Sequence, residues 1–166
     1  DFAFARSFLL ERSFGTLRAQ GLQTPLQTER IVDLRQGQND RPSPNPQQII
    51  ATENQRKGYA VQLGRNEIAV LGLASDGTIT QQGSIDLSGF AVSADTDGLV
   101  DAQGGIAVGE NRIVVALGRY DFDENFSQRF PAPALLVMID TENDELVDMD
   151  TDTPGVQGIE LVGTNP

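Results

Sequence analysis

The chain has 166 residues and a formal charge of −12, which arises from 24 acidic and 12 basic side chains. A field of this sign repels phosphate backbones and anionic lipid head groups, so nucleic acid and membrane surfaces are poor partners. Cysteine, histidine and tryptophan are absent, which excludes disulfides, the usual zinc sites and His-based catalytic triads from this segment. The sequence contains no apolar run long enough to predict a transmembrane helix.

Residues 1–36 predict short strands that form part of a repeat unit. The segments Phe2-Ala-Phe-Ala5, Gly15-Thr-Leu-Arg-Ala19 and Glu29-Arg-Ile-Val-Asp-Leu34 each combine apolar residues with the spacing of a strand. Because the chain starts at Asp1 without an initiator methionine, we expect it to be a processed or partial product.

Residues 37–104 predict a second unit, which begins with a polar, Pro-rich linker that ends at Pro46. Two β-prone runs follow, at Lys57 to Leu63 and Glu67 to Ala74. The turn at Asp76-Gly77 then leads into a strand from Ile79 to Leu87. Strands joined in this order form a β-meander.

Residues 105–166 predict a third unit of the same kind. Strands are expected at Ile106 to Val108, Arg112 to Leu117, Ala134 to Asp140 and Glu145 to Asp148. A long insertion at 120–133 separates the second of these strands from the third.

Short sequence matches indicate that the units repeat. Leu-Gly-Arg occurs at 63–65 and 117–119, and the run Ser84-Ile-Asp-Leu87 is matched by Glu29-Arg-Ile-Val-Asp-Leu34 and by Gly158-Ile-Glu-Leu161. Four-stranded meanders that recur every 40 to 50 residues are typical of propeller blades. The predicted fold class is therefore all-β, with about three four-stranded antiparallel blades of a larger β-propeller. The alternative is a β-sandwich of two sheets, which uses similar strands and turns.

The same residues resemble bacterial exported β-propellers of the YVTN type, relatives of the quinoprotein amine dehydrogenase-like and lactonase-like propellers. The resemblance rests on Tyr59-Ala-Val, Asn66-Glu-Ile-Ala-Val70, Asp76-Gly77, Ser84 to Ser88 and Leu136-Val-Met-Ile-Asp140. It covers most of the chain and implies an extracytoplasmic location, in the periplasm, at the cell surface or outside the cell. The catalytic and cofactor-binding residues of the enzymatic relatives have no counterparts that can be assigned in this sequence.

An acidic loop suggests a calcium site. Asp95, Asp97 and Asp101 flank a glycine that permits a sharp turn, and calcium takes six to eight oxygen ligands from such loops. The competing interpretation is a solvated loop held by Asx-turns.

Two other segments, residues 140–152 and 120–133, each allow a functional and a structural interpretation. The acidic residues of 140–152 predict either a charged sheet edge that discourages strand pairing or a cation-binding rim. The insertion predicts either a partner-binding surface or a loop that buries its rings on its own domain. The residues of the partner-binding surface would be Tyr120, Phe122, Phe126, Arg129 and Phe130.

Two functions remain open from the sequence. The first is a non-catalytic scaffold or protein-interaction module, whose partners are other chains or the remainder of the propeller. The second is a lactonase-like or glycan-active enzyme with a divalent cation bound by acidic residues. Under the propeller hypothesis, the second unit is the best buried, and the regions near Phe2 and Ile159 contact further polypeptide.

Overall fold

The computed structural model describes residues 2–3, 6–21, 24–36, 42–52, 56–74 and 78–162. The predicted Asp76-Gly77 turn, part of the Pro-rich linker and the final Asn165-Pro166 lie outside the described residues. The described chain is all-β: it contains no α-helix, and one short 3₁₀ turn at Ser88–Phe90.

The first sheet is an antiparallel meander of four strands in chain order. In its third strand, Leu17 and Ala19 are buried while Arg18 between them lies on the opposite face, as the alternation of a half-buried strand requires. Its strands are β1 (Phe2–Ala3), β2 (Arg6–Glu11), β3 (Thr16–Gly21) and β4 (Thr24–Asp33).

The second sheet has the same order of four antiparallel strands. Its two central strands carry continuous buried runs, since both faces of this sheet are covered. The predicted second unit is thus confirmed as the best-buried one. Its strands are β5 (Pro46–Ala51), β6 (Lys57–Gln62), β7 (Glu67–Leu73) and β8 (Ile79–Asp86).

The third sheet repeats the meander with its outermost strand divided in two. Both β14 and β15 pair with β13, on the side away from β10. The insertion forms a small separate hairpin of β11 with β12. The strands from here on are β9 (Ala102–Ala107), β10 (Arg112–Leu117), β11 (Asp121–Phe122), β12 (Gln128–Arg129), β13 (Leu135–Asp140), β14 (Glu145–Val147) and β15 (Ile159–Glu160).

The three sheets stack face to face with the second in the middle. One core joins the first and second sheets and includes Phe8, Leu17, Ala69 and Leu71. The other core joins the second and third sheets and includes Tyr59, Val61, Ile68, Val70, Ile113, Val115, Val137 and Ile139. The described sheets form an open stack of three and do not close into a ring.

The first strands of adjacent sheets lie close together, β1 near β5 and β5 near β9. Gly105 permits the second of these approaches, because a Cβ atom there would lie 2.8 Å from the Cδ1 atom of Ile50. Its amide donates a hydrogen bond of 2.8 Å to the side chain of Gln48.

The same backbone hydrogen bond closes each of the three units. The residue after the fourth strand donates its amide to the carbonyl of the residue before the third strand, at 3.0, 2.9 and 2.9 Å in turn. The three bonds are Leu34 to Gly15, Leu87 to Asn66 and Leu161 to Ala134. The sequence matches at residues 31–34, 84–87 and 158–161 therefore mark equivalent positions.

The Leu-Gly-Arg match is one position out of register. The last ladder pairs of the second strands are Gln62 with Pro46 and Leu117 with Ala102, so Leu117 is equivalent to Gln62 and not to Leu63. Consistently, Leu63 donates to the carbonyl of Asn45 and Gly118 to that of Asp101. Asn45 and Asp101 are equivalent, and both adopt positive φ, 48° and 52°.

Among the residues that the structure describes, no helix has the length and apolar character needed to cross a membrane.

The stacking predicts unequal costs for two isoleucines. Ile68 is fully buried between the second and third sheets, whereas Ile106 is 64% exposed on the outer face of the third. We expect Ile68→Ala to lower the free energy of unfolding by about 2–5 kcal/mol. Ile106→Ala should change it by less than about 0.5 kcal/mol. Urea unfolding of dilute monomer measures both, and equal losses would contradict the stacked arrangement.

Candidate functional site

The loop of residues 91–101 connects the second sheet to the third, and one side chain of the second unit bonds to it twice. The Nδ2 atom of Asn66 donates to the carbonyl of Gly98 at 2.7 Å, and the amide of Val100 donates to the Oδ1 atom of Asn66 at 2.9 Å. Asn66 lies in the turn between β6 and β7. The second sheet therefore sets the position of the acidic loop.

Three carboxylates meet beside this loop. Asp95, Asp97 and Asp121 each contribute one carboxylate oxygen to a group whose atoms all lie within 4.8 Å of one another. Asp95 and Asp97 belong to the loop, and Asp121 begins the hairpin of the insertion. We call these three residues the acidic cluster. It joins two segments that are separated by a complete β-hairpin of the third sheet.

Asp121 is the best-satisfied member of the acidic cluster. Its Oδ2 atom accepts hydrogen bonds from the hydroxyl of Thr96 at 2.5 Å and from the guanidinium of Arg129 at 3.0 Å. Its Oδ1 atom accepts the amide of Phe122 at 2.6 Å. The Thr96 hydroxyl above all, with help from the Phe122 amide and from Arg129, holds the pKa of Asp121 below its usual value, so this group is charged at neutral pH.

Asp95, in contrast, is buried and has one carboxylate oxygen without a hydrogen-bond donor in the described part of the chain. It is 8% exposed, its Oδ1 atom accepts the amide of Asp97 at 3.2 Å, and its Oδ2 atom is buried with no hydrogen-bond donor among the described residues. Burial, and secondly the charge of Asp97, raise the pKa of Asp95. The acidic cluster thus contains a buried carboxylate oxygen that no donor among the described residues satisfies.

Asp101 lies next to the acidic cluster and outside its 4.8 Å group. It is 4% exposed, and its Oδ2 atom accepts the amide of Tyr120 at 2.9 Å. Burial raises the pKa of Asp101 to about 7, although the Tyr120 amide opposes this shift. Of the three residues predicted as calcium ligands, the structure brings Asp95 and Asp97 together and adds Asp121, while Asp101 anchors the start of the insertion.

The insertion exposes most of its rings. Phe126 is 86% exposed and has a positive φ of 59°, and Phe122 is 52% exposed. Tyr120, which is partly buried, meets Phe122 edge to face with ring centroids 5.7 Å apart. The rings of Phe122 and Phe126 therefore do not fold onto the sheets as a buried loop would require, whereas that of Tyr120 is partly covered.

A surface cavity of about 280 Å³ lies between the insertion and the acidic loop. Arg129 and Phe130 line it, and Asp121 forms part of its wall. Of the predicted partner-binding residues, Arg129 and Phe130 thus share one concave site, while Phe122 and Phe126 project beside it into solvent.

The acidic residues of 140–152 serve several structural roles. Asp144 receives the ammonium group of Lys57 at 2.9 Å and the hydroxyl of Tyr59 at 2.5 Å, which joins the second and third sheets. Asp148 and Asp150 accept backbone amides two residues ahead, as Asx-turns do. Glu142 and Glu145 are exposed.

Sequence reasoning did not connect Asp121 with the acidic loop, because the two are far apart along the chain. One signal could have done so. Gly118 and Arg119 donate to the carbonyls of Asp101 and Val100, just as the equivalent turn of the second unit bonds to Asn45 and Pro44. A correct repeat register therefore places the segment after each second strand beside the segment before each first strand.

No protein-family model matches this chain, and a search of curated proteins finds no significant relative.

The raised pKa of Asp101 predicts a pH-dependent stability. Between pH 4 and 7 the folded chain retains a proton that the unfolded chain has released, so stability falls as the pH rises through this range. We expect Asp101→Asn to remove this loss, since asparagine occupies the equivalent left-handed position at Asn45 and its amide oxygen can still accept from Tyr120. Urea unfolding in EDTA from pH 4.5 to 8 checks this. Parallel curves for the two proteins would contradict the assignment.

Proposed function

We propose that this chain is part of a non-catalytic, extracytoplasmic β-propeller that acts as a protein-interaction or scaffold module. The observation that carries the proposal is the outer face of the third sheet. This face repeats, in register, an apolar surface that is buried in the second sheet.

The equivalence follows from the ladder pairs. In the second sheet, Ile50, Tyr59 and Val70 form one row across the strands, and all three are buried against the third sheet. The corresponding row of the third sheet is Ile106, Val114, Met138 and Val147. These four side chains are exposed or half-buried, with nothing stacked on them in the described chain.

Leu161 supports the same conclusion. Its two equivalents, Leu34 and Leu87, are 1% and 0% exposed because each lies in the core shared with the next sheet. Leu161 makes the same backbone bond but is only half-buried. A further four-stranded meander stacked on the third sheet would bury it, and closed propellers contain four to eight such units.

The insertion supports an interaction role. Exposed aromatic rings beside an arginine are the residue types enriched in protein interfaces. Phe122, Phe126 and Phe130 are exposed, and Arg129 is half exposed although it contacts Asp121. The extracytoplasmic location rests on the resemblance to exported YVTN-type propellers.

The enzyme alternative draws its support from the acidic cluster. A catalytic cation at the centre of a propeller would take carboxylates from several units. The acidic cluster instead belongs to two neighbouring segments at one end of the third sheet, and Arg129 already neutralises part of its charge. This placement favours a structural role for the cluster, so we do not propose a reaction.

The open face predicts a separable association surface. We expect the 166-residue chain to bind an apolar dye and to self-associate in a concentration-dependent manner. Val114→Lys should reduce both, because it places a charge in the apolar row, while the free energy of unfolding changes by less than about 1 kcal/mol.

Val156→Lys is the matched control, since Val156 is 44% exposed and belongs to the excursion between β14 and β15, outside the apolar row. Light scattering and dye binding measure both variants. If Val156→Lys reduces association as much as Val114→Lys does, charge alone is responsible and the open face has no special role.

The interaction role predicts a contact at the insertion. A photo-reactive amino acid in place of Phe126 should give a discrete protein adduct in the envelope of the cells that produce the protein. The same substitution at Phe14, which is 63% exposed in the turn between β2 and β3, should give none. Adducts at both positions, or at neither, would count against a partner at the insertion.

A further inference from the structure

The acidic cluster supports a metal-binding role that does not require the chain to be part of a propeller. We propose that Asp95, Asp97 and Asp121 bind a calcium ion, which ties the 91–101 loop to the 120–133 insertion. The first segment precedes the first hairpin of the third sheet and the second follows it, so both lie at the same end of that hairpin.

The first support is the close approach of like charges. Three carboxylates lie within 4.8 Å of one another, and among the described residues Arg129 is the one cation paired with any of them. Arg129 contacts Asp121 alone. Asp95 and Asp97 therefore face each other and Asp121 without a counter-charge.

The second support is the buried oxygen of Asp95. Its Oδ2 atom has no donor among the described residues, although more than nine-tenths of the residue is removed from solvent. A buried carboxylate oxygen without a donor or a cation is strongly destabilising. Because Asp95 belongs to the acidic cluster, an ion shared with Asp97 and Asp121 would compensate its buried carboxylate.

The ligand chemistry selects the ion. Three carboxylates offer oxygen alone, and the chain has neither histidine nor cysteine, so zinc, copper and iron lack their preferred ligands. Calcium binds oxygens at about 2.3–2.6 Å, so ligands on opposite sides of the ion are about 5 Å apart. One calcium ion can contact all three carboxylates, whose oxygens lie within 4.8 Å of one another, whereas magnesium demands a near-ideal octahedral arrangement at about 2.1 Å.

The surrounding contacts hold the ligands in place. Asp97 accepts the amide of Leu99 at 2.8 Å, which fixes its carboxylate at the turn. Asp101 accepts the amide of Tyr120, which precedes Asp121. Asp101 is therefore a positioning residue, and Asp95, Asp97 and Asp121 are the ligands, with backbone carbonyls and water completing the coordination.

Calcium chloride added to the EDTA-treated 166-residue chain tests the site. We expect a saturable rise in melting temperature and a binding isotherm in calorimetry below about 1 mM, the range of extracellular calcium modules. Magnesium at the same concentration should bind at least tenfold more weakly. If calcium does not bind at concentrations up to about 10 mM, the proposal is wrong.

Two variants and one control locate the ion. Asp97→Asn keeps the oxygen that accepts from Leu99 but removes the charge, and it should weaken calcium binding at least tenfold. Asp95→Asn should weaken binding similarly, and in EDTA it should raise the melting temperature because it relieves repulsion. Glu142→Gln removes one exposed charge outside the cluster and should bind calcium like the unaltered chain. If Glu142→Gln lost as much calcium affinity as Asp97→Asn, the loss would follow from net charge alone, and the proposed site would be wrong.

Discussion

The structure depends on the burial of both faces of the second sheet. The strands β6 and β7 carry apolar residues at consecutive positions, so each face of this sheet requires a cover. The first sheet covers one face and the third sheet covers the other, each through its own core. Since a meander of this kind is stable only against its neighbours, the three units fold as one stack.

Polar contacts between the second and third sheets fix their relative position, and they thereby also fix the position of the acidic cluster. Tyr59 is fully buried, yet its hydroxyl reaches Asp144 of the third sheet. Asn66 holds the 91–101 loop by both of its amide atoms. Because the loop is held there, Asp95 and Asp97 meet Asp121. The acidic cluster therefore depends in part on how the second and third sheets are stacked.

Much of the fold could be predicted from sequence, because strand patterns and turn residues act locally. The match of Asp33-Leu34 with Asp86-Leu87 identified equivalent positions, since the same backbone bond requires them. The Leu-Gly-Arg match was misleading by one position, because the ladder pairs align Leu117 with Gln62 and a match of three residues is too short to define the register. For the site, spacing found Asp95 and Asp97, but Asp121 joins them through space, and Asp101 is turned to the amide of Tyr120.

The divided outer strand of the third sheet determines how this sheet can associate. A free edge would invite pairing with another strand. Here β14 and β15 share the edge, and the excursion between them is closed by a bond from Met149 to Gln157 and by the Asx-turns of Asp148 and Asp150. The edge is thus short, interrupted and acidic, while the outer face carries the apolar row of Ile106, Val114, Met138 and Val147 beside the Arg112–Asp140 ion pair. The apolar row on the face, and not the divided edge, is therefore the part of the third sheet that is suited to packing against another surface.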